Sequence, residues 1–276
     1  MILYPPAKIN IGLSIVEKRQ DGFHNIETVF YPIPLCDILT VEAAGTGATC
    51  QLVFSCDGIE LPGNDNLCCK AYRLLDADYQ LPPVNIHLHK KIPVGAGLGG
   101  GSSDAAYTLL ALNDLFQLNL SVEELTRYAR RLGSDCAFFL QNQPALGTGK
   151  GDILEPLSLS LAGYHILLVK PPVFVSTADA YSSVIPKKLK HHLPELLQAP
   201  VSEWRHTVFN DFEASVFKKF PEIGQIKENL YREGAVYASM SGSGSCVYGI
   251  FDKETDGIEK LFSDCFVWSD SFVARR

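Results

Sequence analysis

The stretch Pro93-Val94-Gly95-Ala96-Gly97-Leu98-Gly99-Gly100-Gly101-Ser102-Ser103 packs five glycines into seven residues, and its neighbours give it meaning. Before it, Val84, Ile86 and Leu88 alternate with Asn85, His87 and His89, the period of a half-buried strand. After it, Asp104-Ala105-Ala106 leads into an apolar helical run through Leu109, Leu112 and Phe116. Strand, glycine loop and helix in that order build an anion site. Residues without Cβ let backbone N–H groups close on an oxyanion, and the helix N-terminus adds the positive end of its dipole.

The phosphates of ATP are the natural guest of such a loop. Gly99, Gly100 and Gly101 are expected to be glycine so that their amides come within hydrogen-bond reach of phosphate. Ser102 and Ser103 stand where a hydroxyl caps the helix, bonds a phosphate or ligates Mg²⁺. A plain N-cap and tight turn accounts for one serine and one glycine, and leaves the remaining glycines without a purpose. Two other nucleotide readings fail. Gly95, Gly97 and Gly100 satisfy G-x-G-x-x-G, but a dinucleotide fold needs a first strand buried on both faces, and this one is half polar and ends in Pro93. Gly149-Lys150 lacks the first glycine of a Walker A loop, where Pro144 stands, and Gly151 replaces its hydroxyl residue.

A second small-residue loop, Ser239-Met240-Ser241-Gly242-Ser243-Gly244-Ser245, precedes the β-like Cys246 to Ile250. Alone it is a hairpin turn. With the first loop it reads as the other wall of one cleft.

At the N-terminal end, Ile9, Ile11, Leu13 and Ile15 fall on one face of a strand and Lys8, Asn10, Gly12 and Ser14 on the other, so Lys8 and Asn10 point the same way. The turn Asp21-Gly22 leads to a second strand, Phe23 to Tyr31. Further strands are expected over Ile38 to Glu42 and Thr49 to Cys56, and a helix over Asn66 to Leu75. Another helix is bounded by the capping box Ser121/Glu124 and by Gly133, with Val122, Leu125, Ala129 and Leu132 inward. Asp135 follows that stop.

A glycine-rich loop before Glu155-Pro156-Leu157 marks a domain boundary, giving residues 1–156 and 157–276. Beyond it a strand is expected from Tyr164 to Val169, with helices near Tyr181, from Asn210, from Pro221 to Arg232 and near Lys260. A hairpin around Ser239 to Ser245 and a last strand toward Val273 complete an α+β chain.

Lys8 and Asp135 are the candidate chemical pair. Phosphoryl transfer needs positioning, charge neutralisation and a group that orients or deprotonates the attacking hydroxyl. A carboxylate serves the last need, and a lysine stabilises the developing negative charge. Singly, an Asp after a helix is more often a cap, and a strand Lys more often faces solvent.

Composition sets outer bounds. The 276 residues are 46% hydrophobic and 20% charged, a globular balance. The start of the chain shows no basic segment followed by an apolar one, and no run approaches membrane-spanning length, so a cytoplasmic protein without a membrane partner is expected. The eight cysteines show no Cys-x-x-Cys spacing and read as reduced thiols, with no structural metal site. The net charge of −7 argues against nucleic acid as a partner.

Lys8-Ile9-Asn10, Gly97 to Ala106 and Ser241-Gly242-Ser243-Gly244-Ser245 resemble the three ordered motifs of the GHMP kinases. Four narrower stretches, Arg19-x-Asp21-Gly22-Phe23-His24, Asp65-Asn66-Leu67, Gly133-Ser134-Asp135 and Asn210-Asp211-Phe212-Glu213, resemble the branch whose substrate carries cytidine. The resemblance runs from Ala7 to about Ile250. It implies ATP as phosphoryl donor, with Mg²⁺, and the 2-hydroxyl of CDP-methylerythritol as acceptor, in the non-mevalonate route to isoprenoid precursors. It also implies a ribosomal-S5-like N-terminal domain and a ferredoxin-like C-terminal domain. Lys8 and Asp135 match the family's catalytic pair, with Asn10 beside them. Phe23 and His24 match the residues that hold the cytosine, Tyr181 supplies a second aromatic face, and Asn66 and Lys90 match positions near the adenine. A monomer or weak homodimer is expected.

The family usually has Tyr where this chain has Phe23, so stacking survives and a hydroxyl hydrogen bond is lost. Read without His24 beside it, Phe23 would be a core aromatic in a strand. The alternatives are a GHMP kinase for homoserine, mevalonate or a sugar, and a non-catalytic ligand-sensing relative. The Asp21-Gly22-Phe23-His24 pattern weighs against the former, and the presence of Lys8 and Asp135 against the latter.

Overall fold

The computed structural model describes residues 1–45, 49–58, 66–182, 184–255 and 257–273; Asp65 of the Asp65-Asn66-Leu67 motif lies outside them. The strands are β1 (Ile2–Leu3), β2 (Pro6–Lys18), β3 (His24–Cys36), β4 (Ile38–Ala43), β5 (Leu52–Asp57), β6 (Val84–His89), β7 (Ala145–Thr148), β8 (Ile153–Pro156), β9 (His165–Lys170), β10 (Tyr237–Met240), β11 (Val247–Phe251) and β12 (Phe266–Ser271). The helices are α1 (Leu67–Tyr79), α2 (Gly100–Leu115), α3 (Val122–Leu132), α4 (Cys136–Gln141), α5 (Thr177–Tyr181), α6 (Leu193–Leu196), α7 (Glu213–Lys219) and α8 (Pro221–Arg232). Two compact units result. One comprises Met1–Ala7, Pro34–Val94 and Gly99–Gln143, the other Lys8–Ile33, Gly95–Leu98 and Pro144–Arg276. These units interleave along the chain, whereas a division at 156/157 is a single cut; spatial contact and sequence texture partition the chain differently.

The first unit is a sheet in the order β1-β4-β6-β5 with helices layered on it. β6 shows the alternation read from its sequence: Val84, Ile86 and Leu88 are buried while Asn85 and His87 are exposed. It pairs antiparallel with β4 and parallel with β5. The parallel pair requires a crossover, which α1 supplies. Helix α2 packs on β4 and is itself surrounded by α1, α3 and α4. Its buried Ala105, Ala106 and Ala111 permit that close approach. Helix α3 forms with both halves of the Ser121/Glu124 capping box. Val122, expected on its inner side, is 54% exposed, because the packed face begins a turn later at Leu125 and continues at Ala129. Helix α4, at six residues, is too short to show a period in sequence.

The second unit holds two sheets, β2-β3-β7-β8 and β10-β11-β9-β12. In the latter, β10–β11, β11–β9 and β9–β12 all pair antiparallel. With its four strands numbered in chain order, this sheet runs 4-1-3-2, the ferredoxin-like arrangement, with α8 packed on β10 and β11. The helix expected near Lys260 is reduced to a 3-10 turn, Ile258–Phe262. The glycine-rich segment before Glu155 folds as the β7–β8 hairpin. The core joins Leu13 and Ile15 to Leu167, Val169, Phe212, Ile223, Leu230 and Met240.

Both faces of β2 are covered over its first half: Pro6 through Leu13 are buried, including Lys8 at 3% and Asn10 at 2%, so this strand lysine does not face solvent. Gly12 shows why the strand is closed in on that side: it adopts φ +67°, and a Cβ there would sit 2.6 Å from Leu193 Cδ2. The helix read from Asn210 starts at Glu213, because Asn210 to Phe212 form the turn that precedes it.

All eight cysteines are free thiols. Cys68, Cys69, Cys136 and Cys246 are buried and Cys50 is exposed. Burial pushes the Cys136 thiol up to about 11 and that of Cys246 up to about 12, and raises Cys68 too. Among the described residues no helix is long and apolar enough to cross a membrane.

Candidate active site

In the second unit, Lys8 and Asn10 lie two residues apart on β2 and therefore share a face. The Lys8 ammonium donates to Asn10 Oδ1 at 2.5 Å and to the Gly97 carbonyl at 3.0 Å, and sits 5.3 Å from the centre of the Phe30 ring. Asn10 is held on several sides. Its Nδ2 donates to Thr28 Oγ1, its backbone N–H donates to Ser241 Oγ, and its carbonyl accepts from Tyr248 Oη. Ser241 Oγ also donates to the Gly97 carbonyl, at 2.8 Å.

The segment Gly95–Leu98 thus packs directly on the loop from Ser241 to Ser245, instead of facing it as a separate wall. Gly97 adopts φ +76°, and a Cβ on it would lie 1.9 Å from the Ser241 carbonyl oxygen. Gly95 adopts φ +64° with Phe174 2.7 Å from where a Cβ would stand. Ala96 and Leu98 are buried and fix the segment, with Ala96 O accepting from Cys246 N. Asn210, quoted above only as part of a motif, positions the second loop. Its Nδ2 donates to the carbonyls of Met240 and Gly242, each at 2.8 Å.

The aromatic residues read as cytosine-binding lie in the same unit. His24 and Tyr181 stack with ring centres 4.7 Å apart and planes 22° apart, and Tyr181 packs edge-on against Phe212. Tyr181 therefore pairs with His24. Phe23 precedes β3, is 58% exposed, and has the Lys150 ammonium 4.9 Å from its ring centre. That exposure removes the core-aromatic explanation for Phe23.

In the first unit, Gly99 takes the N-cap position of α2 with φ 71° and offers no side chain to cap it. The first amides of α2 have no intrahelical acceptor, so the helix end is chemically open to an anion. Ser102 and Ser103 lie inside the first turn and do not cap it. Ser103 Oγ is fully buried and has no hydrogen-bond partner among the described residues. Pro93 is buried and Val94 is 48% exposed.

The three consecutive glycines have different reasons to be glycine. Gly99 needs a left-handed backbone. Gly100 does not, and its φ is ordinary; a Cβ there would stand 2.9 Å from both Ile92 Cγ2 and Lys90 Nζ. Packing alone is thus enough to exclude a side chain at Gly100, a reason for glycine that is independent of any approach to phosphate. Gly101 is exposed, and a Cβ on it would meet only Leu67, at 3.8 Å.

Asp135 occupies the N-cap position of α4, half-buried, and its side chain makes no capping hydrogen bond there. Its place at a helix start is thus not accounted for by capping. Asn66 is the N-cap of α1, with Oδ1 accepting from Cys69 N at 2.9 Å. Lys90 is buried, and its ammonium donates to the carboxylates of Asp37 and Asp104. Burial alone would depress that ammonium, but Asp104 and Asp37 hold it above its ordinary value. The Asp104 carboxyl is itself pushed up, chiefly by burial.

An uncapped helix start after a glycine loop has the chemistry of an anion site, and sequence comparison assigns the class, a GHMP kinase. The family described as "GHMP kinases N terminal domain" matches residues 66–145, and "GHMP kinases C terminal" matches residues 187–261. A 4-diphosphocytidyl-2-C-methyl-D-erythritol kinase of Bacteroides thetaiotaomicron is 55% identical over 258 residues, covering 92% of this chain and 93% of the relative. That of Parabacteroides distasonis is 51% identical, covering 97% and 98%. A crystal structure of 4-(cytidine 5'-diphospho)-2C-methyl-D-erythritol kinase superposes with a TM-score of 0.85 at 35% identity, covering 100% of both chains. The mevalonate kinase of Methanococcus jannaschii, with a TM-score of 0.73 at 14% identity, shares the fold. The chain belongs to the GHMP kinases and, within them, to the 4-diphosphocytidyl-2-C-methyl-D-erythritol kinase family.

Proposed function

We propose that the chain transfers the terminal phosphoryl group of ATP to the 2-hydroxyl of CDP-methylerythritol, a step in the non-mevalonate route to isoprenoid precursors. The observation that carries this reading is the buried Lys8 ammonium, fixed by Asn10 Oδ1 and the carbonyl of Gly97 in the glycine loop itself. In this reading Lys8 neutralises negative charge that develops on the transferring group, and Asn10 orients it. In the same reading Asp135, half-buried at the start of α4, accepts the proton of the attacking hydroxyl.

The residues of the loop suit ATP. Gly95, Gly97 and Gly99 take left-handed backbone conformations of the kind that let amides converge on an anion, and the buried Ser103 hydroxyl has no partner among the described residues. Mg²⁺ would accompany the nucleotide and neutralise its phosphate charge. Asn66 and Lys90 border the adenine in this reading, and Phe23, His24 and Tyr181 receive the cytosine. The N-terminal domain, residues 1–156, supplies ATP binding and catalysis, and residues 157–276 form the ferredoxin-like domain. The enzyme works in the cytoplasm as a monomer or weak homodimer, on a small molecule and without nucleic acid or membrane.

A coupled assay of ADP release tests the reading with CDP-methylerythritol, mevalonate and homoserine side by side. ADP release is expected with the first substrate alone. Turnover of mevalonate or homoserine at an equal rate, or no turnover of the cytidine substrate, refutes it.

A further inference from the structure

Three buried ionisable side chains of the first unit, among them the Lys90 read as bordering the adenine, form a cluster with no part in the phosphoryl transfer itself. Asp37 stands just before β4, Lys90 just after β6, and Asp104 in the second turn of α2. Their side chains are 0%, 2% and 3% exposed. The Lys90 ammonium donates to Asp37 Oδ2 and, at 2.8 Å, to Asp104 Oδ2. Asp37 Oδ1 accepts from the backbone N–H groups of Lys91 and Ile92, at 2.6 and 2.8 Å.

Those two residues are the last before Pro93, where the glycine loop begins, and α2 is where the loop ends. Asp37 therefore holds the chain as it runs into the loop, Asp104 holds the helix that leaves it, and one ammonium joins them. Lys90 also lies directly beneath the first turn of α2, which is why position 100 has no room for a side chain.

As a source of stability this arrangement is poor. Two carboxylates share one cation, Asp104 Oδ1 has no hydrogen-bond partner among the described residues, and well-packed apolar groups in place of a buried ionic cluster are often neutral or better. As a source of position it is effective, because each hydrogen bond has a direction and breaking any one leaves a buried charge uncompensated.

We propose that Asp37, Lys90 and Asp104 form a clip that sets the separation of the two ends of the glycine loop, making Asp104 a positioning residue for the nucleotide. The proposal rests on the reading of that loop as the ATP phosphate site. Asp104→Ala tests it, since the change leaves Lys90 paired with Asp37 and severs only the helix end. In the full-length enzyme, KM for ATP is expected to rise about tenfold or more, as misplacement of a binding group commonly does. KM for CDP-methylerythritol should stay within about twofold of wild type under the same positional argument.

In nucleotide-free protein, hydrogen exchange over residues 93–103 should accelerate. Asp104→Asn, whose carbonyl still accepts from Lys90, should recover most of the ATP affinity. A folded Asp104→Ala protein with unchanged ATP KM and unchanged exchange overturns the proposal, and so does an equal loss of both KM values in the Ala and Asn variants. Should the alanine variant fail to fold, Asp104→Ser, too short to reach the ammonium, takes the same tests with the same outcomes. Wild-type protein that binds no ATP in a calorimetric titration defeats the ATP reading separately, and the exchange measurement still judges the clip.

Discussion

Replacing Gly100 by alanine would place a Cβ 2.9 Å from Ile92 Cγ2 and from Lys90 Nζ, inside a wall that has little freedom to move. Ile92 is fully buried, and Lys90 is tethered to two carboxylates. Overpacking of this kind costs roughly 1–3 kcal/mol. For a chain of this size each kcal/mol moves Tm by about 2–4 °C, so a drop of roughly 2–12 °C is expected. Gly101→Ala, one residue on, meets only Leu67 at 3.8 Å and needs no unusual backbone angle. A helical Gly→Ala change there should stabilise by about 0.5–1 kcal/mol. If the Gly101 amide bonds a phosphate, the new methyl group stands in the ligand's path. Loss of one hydrogen bond to a charged group, about 1.5–3 kcal/mol, weakens ATP binding roughly 10- to 150-fold. Thermal melts and calorimetric ATP titrations of both variants check this. A Gly101→Ala protein that binds ATP like wild type removes that residue from the phosphate site, and a Gly100→Ala protein of unchanged Tm refutes the packing argument.

Asp135→Asn keeps the shape of the side chain but cannot accept a proton, so kcat should fall by about 10²- to 10⁴-fold with the fold and ATP affinity retained; near-full turnover would remove Asp135 from the mechanism. His24→Ala strips the ring that stacks on Tyr181 and should raise KM for CDP-methylerythritol far more than KM for ATP in steady-state assays, whereas equal losses would make His24 a structural residue. Asn210→Ala should lower Tm, because it orphans the Met240 and Gly242 carbonyls at a cost of about 1–3 kcal/mol each; an unchanged melt would show that the second loop holds itself.

Long periodic elements and short glycine-rich turns were legible before any coordinates. Helix α3 announced itself through a capping box, and α8 through Pro221 at its first position. What stayed hidden were features set by distant residues. The burial of Lys8 and Asn10 depends on Ser241, Tyr248 and Thr28, which lie far along the chain. The β7–β8 hairpin has strands of four residues each, too few to show alternation among its glycines. Among the site residues, the pattern pointed to Lys8, Asn10 and the glycine loop because their chemistry is local. Asn210 gave no such signal, since its amide donates to two carbonyls 30 and 32 residues further on. The ion pairs of Lys90 leave no trace in its own stretch of sequence because its two acidic partners are 53 and 14 residues away.

The burial of the cysteines gives the protein a set of built-in clocks. A thiol reacts only as an exposed thiolate, so Cys68 and Cys136 in the first unit and Cys246 in the second are silent until their surroundings open. Exposed Cys50 reacts without any opening and sets the reference rate. Pulsed alkylation of the unaltered chain, read peptide by peptide along a denaturant series, would then time the opening of each unit separately. Coincident labelling of Cys136 and Cys246 would mark one cooperative transition, and staggered labelling would mark two.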